Sequence, residues 1–172
     1  MSEQPGAGSV GDGAPQVSVD GGIIRLRIAS TVGTPVEEAW AEVSTFSGVN
    51  AELMPFVRMR EPRALRGRSL ESYRPGERAA CWLLAGGVVP FDRHLLGLES
   101  ITPGEGFVEE STTWMQRRWR HERRLTEIGG RTMVVDQLTV EPRLRLAAPM
   151  TARILAGTFR HRHGRLRARF GA

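Results

Sequence analysis

Three ionisable residues that could do chemistry lie on one face of a predicted β-hairpin. The Gly-Gly pair at 129–130 separates two runs rich in strand-forming residues, which is the signal of a two-residue turn. With that turn, Arg123 lies directly opposite Asp136. Because side chains alternate along a strand, His121 lies on the same face as this pair. The hairpin therefore brings a guanidinium, a carboxylate and an imidazole close together.

The rest of this face is apolar. It carries Trp119, Leu125, Val134, Leu138 and Val140. Opposite charges on adjacent strands can pair, and a buried pair has to stay intact because removal of one partner strands the other charge. Arg123 and Asp136 are therefore either an internal ion pair that holds the hairpin, or the polar end of a cavity that binds a ligand carbonyl, carboxylate or phenol.

His121 also has two interpretations. It lies diagonal to Asp136, and a carboxylate beside an imidazole can set its tautomer and raise its basicity. His121 would then be a general base for enolisation, and Arg123 would stabilise the enolate. If the protein is an enzyme, we expect His121, Arg123 and Asp136 to be its catalytic residues. Otherwise the histidine is structural.

Patterns elsewhere predict the elements that position this hairpin. Alternation predicts a strand at 23–29, and helical spacing after Thr34-Pro35 predicts a helix to about residue 45. A second short helix, further strands and a long final helix follow. They lie at 47–54, 56–61, 79–84, 92–101, 107–113 and 149–170. The pairing of the strands within residues 63–113 stays open at this point.

The predicted final helix carries an arginine among apolar residues. Leu155, Phe159 and Leu166 form its apolar stripe, and Arg162 falls on that stripe. An arginine in such a position needs a partner. Asp136 and Glu141 are the candidates, and the sequence does not choose between them.

The neighbouring histidines do not suggest a metal site. His161 and His163 are two positions apart, so they point to different faces of the helix. No other combination of His, Cys and Asp has convincing ligand spacing, and the sequence shows no Ser-His-Asp or Cys-His pattern. We expect neither a metal nor a cofactor.

Composition predicts one domain with an amino-terminal tail. Residues 1–22 are rich in glycine and nearly free of large apolar residues, which predicts a disordered tail. Residues 23–172 are expected to form a single domain. The single cysteine, Cys81, fits a reducing cytoplasm. No run approaches the roughly 20 apolar residues of a transmembrane helix, and the tail lacks the features of a secretory signal.

All 24 basic residues are arginines, and the net charge is +5. This surplus has two interpretations: a composition bias that places arginine on solvated faces, or a surface that binds anionic lipid or RNA. Arg118, Arg120 and Arg124 lie on the outer face of the hairpin. RNA-binding sheets interleave such residues with exposed aromatics, and this face has none, so no specific nucleic-acid partner is expected.

The order of these elements resembles the helix-grip fold of the START/Bet v 1-like superfamily, also called SRPBCC. The similarity is carried by Thr34–Trp40, by the Trp119-x-His121-x-Arg123 strand, by Gly130–Asp136 and by Phe159–Leu166, and it covers about residues 23–170. The resemblance implies an α+β fold in which a curved antiparallel sheet wraps around a long carboxy-terminal helix, with two short helices after the first strand. It also implies an elongated hydrophobic cavity between sheet and helix.

Members of this superfamily include polyketide cyclase/dehydrase-like and lipid-transfer proteins, so the resemblance leaves function open. We expect the domain to bind a small hydrophobic or amphipathic molecule. The expected ligand-binding residues are Trp119, His121, Arg123, Asp136, Leu138, Phe159, Arg162 and His94. The alternative is a polyketide cyclase, aromatase or dehydratase that uses His121 and Arg123. The ligand and the oligomeric state are not predicted.

Overall fold

A long carboxy-terminal helix lies against a curved, eight-stranded antiparallel sheet in the computed structural model, which describes residues 13–62 and 66–172. The strands are β1 (Gln16–Asp20), β2 (Ile23–Val32), β3 (Val57–Arg60), β4 (Arg78–Ala85), β5 (Val89–Thr102), β6 (Gly106–Thr113), β7 (Gln116–Ile128) and β8 (Arg131–Pro142). The helices are α1 (Val36–Val43), α2 (Phe46–Leu53) and α3 (Ala148–Phe170). The strand order is β1-β2-β8-β7-β6-β5-β4-β3. This arrangement confirms the predicted helix-grip fold.

The predicted register of the β7–β8 hairpin is confirmed. Ile128 pairs with Arg131, and Arg123 lies opposite Asp136. Gly129 and Gly130 have φ angles of 60° and 75°. Positive φ at both central residues is what a two-residue turn with the twist of the flanking strands requires. The turn therefore determines which hairpin side chains face the interior.

The prediction of a disordered tail is wrong for Gln16–Asp20, which form the edge strand β1 and pair with β2. All five side chains are exposed, so composition gives no sign of burial, and the strand is held by its backbone ladder. Gly21 and Gly22 join β1 to β2 with φ angles of 56° and 85°. The signal that predicted one hairpin was thus present here as well. Residues 1–12 lie outside the described residues.

The pairing between β4, β5 and β6, which the sequence left open, brings two further ionisable groups to the inner face. His94 on β5 lies opposite Cys81 on β4, and Glu109 on β6 lies opposite His121 on β7. β5 and β6 pair regularly from His94 to Leu98, and the register shifts only between Leu98 and Ser100. Because the pairing is regular there, His94 and Glu109 lie on the same side of the sheet as His121.

The predicted apolar stripe of the last helix is buried against the sheet. Phe159 is only 1% exposed and packs with Ile24, Ile28 and Leu138 from β2 and β8. Full burial of a side chain of this size contributes about 1.5–3 kcal/mol. A second apolar cluster, which includes Trp40, joins α1 to the opposite end of the sheet. Among the described residues, no helix is long and apolar enough to cross a membrane.

We predict that β6 tolerates no side chain at its first residue, Gly106. A Cβ there would lie 2.0 Å from the carbonyl oxygen of Arg123, and the φ angle is 149°. Backbone has to move to relieve that contact, so Gly106→Ala should lower the free energy of unfolding by about 3 kcal/mol or more. Urea denaturation monitored by circular dichroism measures the loss.

Gly104→Ala is the matched control. Gly104 also has a positive φ, 77°, but a Cβ added there would have no other atom within 4 Å. Only the conformational strain remains, so the loss should be about 1–2 kcal/mol. Equal losses for the two variants would contradict the close approach of β6 to Arg123.

Candidate functional site

A cavity of about 360 Å³ lies between the inner face of the sheet, α2 and α3. Its wall is mainly apolar and includes Leu83, Leu96, Leu98, Phe107, Trp119 and Phe159. Phe91, Met115 and Ile154 also line it and are 43%, 53% and 61% exposed, so they mark its entrance. The polar residues of the wall include Asp92, His94, Glu109, Gln116, His121 and Arg162.

Arg123 lies behind this wall and joins two carboxylates. It is 0% exposed and donates to Asp136 from Nε and Nη2, at 2.8 and 2.7 Å. It also donates to Glu52 from Nη1 and Nη2, at 2.7 and 2.9 Å. Both contacts are bidentate, which is the strongest geometry for a guanidinium and a carboxylate. Since Glu52 belongs to α2, Arg123 attaches that short helix to the sheet.

Glu52 is also the partner of Arg162. Arg162 Nε donates to Glu52 Oε2 at 2.9 Å, so the proposed partners Asp136 and Glu141 are wrong. The arginine guanidinium also lies 4.8 Å from the centre of the Phe159 ring. The sequence did contain a signal, because Glu52 is the one acidic residue in the otherwise uncharged helix α2. A carboxylate there needs a cationic partner.

His163, which the sequence analysis did not assign to the site, is a further partner of Asp136. Its Nε2 lies 3.0 Å from Asp136 Oδ2, and its Nδ1 lies 2.9 Å from the hydroxyl of Ser30. The Ser30 hydroxyl also accepts a hydrogen bond from Arg167, so Ser30 joins two side chains of α3 to β2. His161 instead contacts the carbonyl of Met54, which agrees with the prediction of different helix faces.

His121 lies between two carboxylates. Its Nε2 is 2.8 Å from Asp136 Oδ1, and its Nδ1 is 3.8 Å from Glu109 Oε2. Glu109 in turn binds His94 Nε2 through Oε1, at 2.6 Å. These contacts join the groups around Arg123 to the cavity wall. We call Glu52, Glu109, His121, Arg123, Asp136 and Arg162 the buried charge network.

The pKa values follow from burial and from these contacts. Burial raises the pKa of Asp136, but Arg123 and His121 outweigh it and hold the pKa well below its usual 3.8. Burial opposes ionisation of Glu52 and Glu109 as well. Arg123 and Arg162 nevertheless lower the pKa of Glu52, and the two histidines in contact with Glu109, His94 and His121, lower its pKa. Burial lowers the pKa of His121, whereas Asp136 and Glu109 raise it, with a net increase above 6.5.

These directions give the network a balanced charge. Glu52, Glu109 and Asp136 contribute three negative charges, and the arginines contribute two positive ones. A proton on His121 supplies the third positive charge: Nε2 then donates to Asp136, and Nδ1 faces Glu109 at ion-pair distance. A neutral total is the least costly arrangement for charges that are removed from water.

Five of the eight predicted ligand-binding residues line the cavity: His94, Trp119, His121, Phe159 and Arg162. The remaining three do not, which corrects the predicted lining. Arg123 and Asp136 are covered by their partners, and Leu138 belongs to the apolar cluster between β2, β8 and α3. The reason is that α3 packs directly on β2 and β8, so the space opens over β4 to β7. Among the described residues, no group of three or more His, Cys, Asp and Glu side chains could hold a metal ion.

Comparisons with known proteins agree with the fold. The sequence profile of a family described as "Domain of unknown function (DUF8410)" matches residues 30–170. No curated protein matches the sequence. The structure is similar to protein CV1439 from Chromobacterium violaceum, with a TM-score of 0.67, 11% identity, and coverage of 86% of this chain and 98% of that one.

Two further solved structures share this fold. A START superfamily protein from Mycobacterium smegmatis has a TM-score of 0.62 and 15% identity, over 85% of this chain and 96% of that one. Ara h 8.0201 has a TM-score of 0.55 and 11% identity, over 85% of this chain and 99% of that one. The predicted START/Bet v 1-like, or SRPBCC, fold is therefore confirmed.

We predict that Arg123→Met lowers the free energy of unfolding by about 3–5 kcal/mol, because it strands the carboxylates of Glu52 and Asp136 in the interior. Arg118→Met is the matched control on the same strand. Arg118 pairs with Glu110 at 2.7 Å, but its side chain is 43% exposed. Its loss should cost no more than about 1 kcal/mol. Urea denaturation compares the two, and similar losses would contradict a buried ionic role for Arg123.

We also predict that His121 makes stability depend on pH above neutrality. Because folding raises its pKa above 6.5, its contribution is fully present below pH 6.5 and is lost as the pH rises through the folded pKa. The thermal midpoint of the wild type should therefore fall as the pH rises above 6.5, and His121→Gln should flatten this decline. On the acid side, the low pKa of Asp136 contributes stability above pH 3.8 that is lost as the pH falls.

Thermal unfolding monitored by circular dichroism at several pH values checks this. His161→Gln is the control, because His161 contacts a backbone carbonyl and no carboxylate. It should retain the decline of the wild type. The same slope in His121→Gln would show that His121 carries no extra proton in the folded state.

Proposed function

Since the chain belongs to the DUF8410 family, whose name gives no activity, we propose its function from the cavity: it binds one small hydrophobic or amphipathic molecule between the sheet and α3. The proposal rests on one observation: a mainly apolar cavity of about 360 Å³ with a few polar groups in its wall. Ligand sites have this composition, and their volumes are roughly 300–1,000 Å³. A space of this size corresponds to about twelve water molecules, enough for a ligand of one or two rings.

Unpaired polar atoms in the wall support a ligand. Within residues 13–62 and 66–172, Trp119 Nε1 and Gln116 Oε1 are buried without any hydrogen-bond partner. Both residues line the cavity. Buried polar groups are normally paired, so a donor and an acceptor without partners in the protein are groups that a ligand or water inside the cavity can satisfy. Trp119 was predicted as a cavity wall, and it also offers this donor.

The arrangement of the charge network favours binding over the enzymatic alternative. A general base needs a nitrogen with a free lone pair within reach of the substrate. His121 directs both nitrogens toward carboxylates, and its raised pKa favours the imidazolium, which has no lone pair to offer. A cyclase or dehydratase that uses His121 as its base is therefore not favoured. Arg123 is out of contact with the cavity.

The surface arginines give little support to a binder of RNA or anionic lipid. Arg118 and Arg120 on the outer sheet face are paired with Glu110, and Arg120 also with Glu99. Arginines whose charge is already compensated contribute less to phosphate binding. The cytoplasmic location and the lack of a nucleic-acid partner stay predictions.

We predict that Leu83→Trp fills the cavity and prevents ligand uptake. Leu83 lines the cavity, whereas the next residue of β4, Leu84, lies at the opposite face beside Arg58 and Trp82. Leu84→Trp is therefore a matched control with the same substitution on the same strand. Native mass spectrometry of gently purified protein measures any co-purifying small molecule, which denaturation then releases for identification.

The wild type and Leu84→Trp should carry the same bound mass, and Leu83→Trp should carry none. Circular dichroism confirms that both variants are folded. An equal bound mass in all three proteins would place the ligand elsewhere and contradict the proposal.

A further inference from the structure

His94, unlike His121 and His163, directs only one of its ring nitrogens to another side chain. It lines the cavity and is only 3% exposed. Its Nε2 lies 2.6 Å from Glu109 Oε1, and its ring meets the indole of Trp119 edge to face at 6.0 Å. No residue in the described ranges 13–62 and 66–172 hydrogen-bonds to its Nδ1. His94 therefore has one nitrogen for the protein and one for the contents of the cavity.

The hydrogen bonds around Glu109 determine which nitrogen carries the proton. The amide of Gly97 donates to the Ser111 hydroxyl at 3.0 Å, so that hydroxyl donates its own proton to Glu109 Oε1, at 2.6 Å. Glu109 is thus an ionised acceptor, which agrees with its low pKa. A carboxylate that already accepts from serine also accepts from His94, so the Nε2 of His94 is the protonated nitrogen.

The charges around His94 bear on whether its second nitrogen, Nδ1, also carries a proton. The buried charge network is neutral once His121 carries a proton. That proton is held between two carboxylates, because His121 contacts both Asp136 and Glu109. A second imidazolium at His94 would leave a net positive charge in the interior, which is costly unless the ligand brings a negative charge. With its proton on Nε2, a neutral His94 presents the lone pair of Nδ1 to the cavity.

We propose, building on the proposed function, that the Nδ1 of His94 accepts a hydrogen bond from a hydroxyl group of the bound ligand, oriented by Glu109 and Ser111. The ligand class is a neutral molecule with an apolar body and a phenolic, enolic or similarly acidic hydroxyl. A carboxylate ligand is ionised at neutral pH, so it has no proton to donate to Nδ1. A cationic amine would meet Arg162 and the protonated His121 in the same cavity.

The lone pair of Nδ1 can also accept the ligand's proton outright. If the hydroxyl is acidic enough, its O–H bond breaks, the electron pair stays on the oxygen, and an N–H bond forms at Nδ1. The ring becomes an imidazolium whose second proton remains on Nε2, beside Glu109. The proton returns to the oxygen before the ligand leaves, so no other reactant is needed.

Two naphthalenes that differ in one methyl group test this inference. 2-Naphthol has an acidic hydroxyl, and 2-methoxynaphthalene has the same body without a donor. Fluorescence titration should show that the wild type binds 2-naphthol at least about tenfold more tightly, as expected for one hydrogen bond in a buried site. Excited 2-naphthol transfers its proton to a neighbouring base, so the bound probe should also show naphtholate emission.

His94→Phe should remove both the preference and the naphtholate emission while it still binds 2-methoxynaphthalene. His161→Phe is the control, because His161 does not line the cavity, and it should behave like the wild type. Glu109→Gln is the second variant if His94→Phe does not fold. It removes the charge that orients and activates the imidazole, so it should lower the preference and the emission together.

The outcomes separate the two proposals. Equal binding of both probes to the wild type, or a preference that survives in both variants, would overturn the role of His94 and leave the cavity as a plain hydrophobic site. Binding of neither probe would count against the proposed function and against this inference with it.

Discussion

The buried guanidinium of Arg123 is the interaction on which the rest of the structure depends. It reaches one carboxylate from the neighbouring strand and one from α2, and it has no contact with solvent. Two negative charges and a positive charge can leave water together only when their geometry is good and every oxygen is satisfied. The hairpin, α2 and α3 consequently have one relative placement in which the charges are compensated, and that placement leaves space over β4 to β7.

The sequence predicted the fold where local signals sufficed. The turn at Gly129 and Gly130 determined which residues face Arg123, because pairing follows from a turn by simple alternation. The same signal is present at Gly21 and Gly22, but the glycine-rich composition of residues 1–22 predicts a tail there instead of a strand. The apolar content of a segment indicates whether its side chains will be buried. An edge strand that is held by backbone hydrogen bonds buries few side chains, so its composition does not reveal it.

The candidate site could be predicted only in part, because its contacts join residues that are far apart in the sequence. Arg123 and Glu52 are 71 positions apart, and no periodic pattern indicates that a helix residue will meet a strand residue over that distance. The contact of His94 with Glu109 depends on the pairing of β5 with β6, which includes a register shift. The sequence could show that Arg162 needed a partner, but the identity of the partner is a property of the tertiary structure.

The three exposed residues at the cavity entrance belong to separate parts of the fold. Phe91 is the third residue of β5, Met115 lies in the turn before β7, and Ile154 is in the first half of α3. Arg162 and His163 attach the second half of that helix to Glu52 and Asp136. The entrance residues therefore take no part in the buried charge network. For the proposed ligand, this predicts entry and release by rotation of the three entrance side chains with every ion pair intact, and a residence time that does not follow the global stability of the domain.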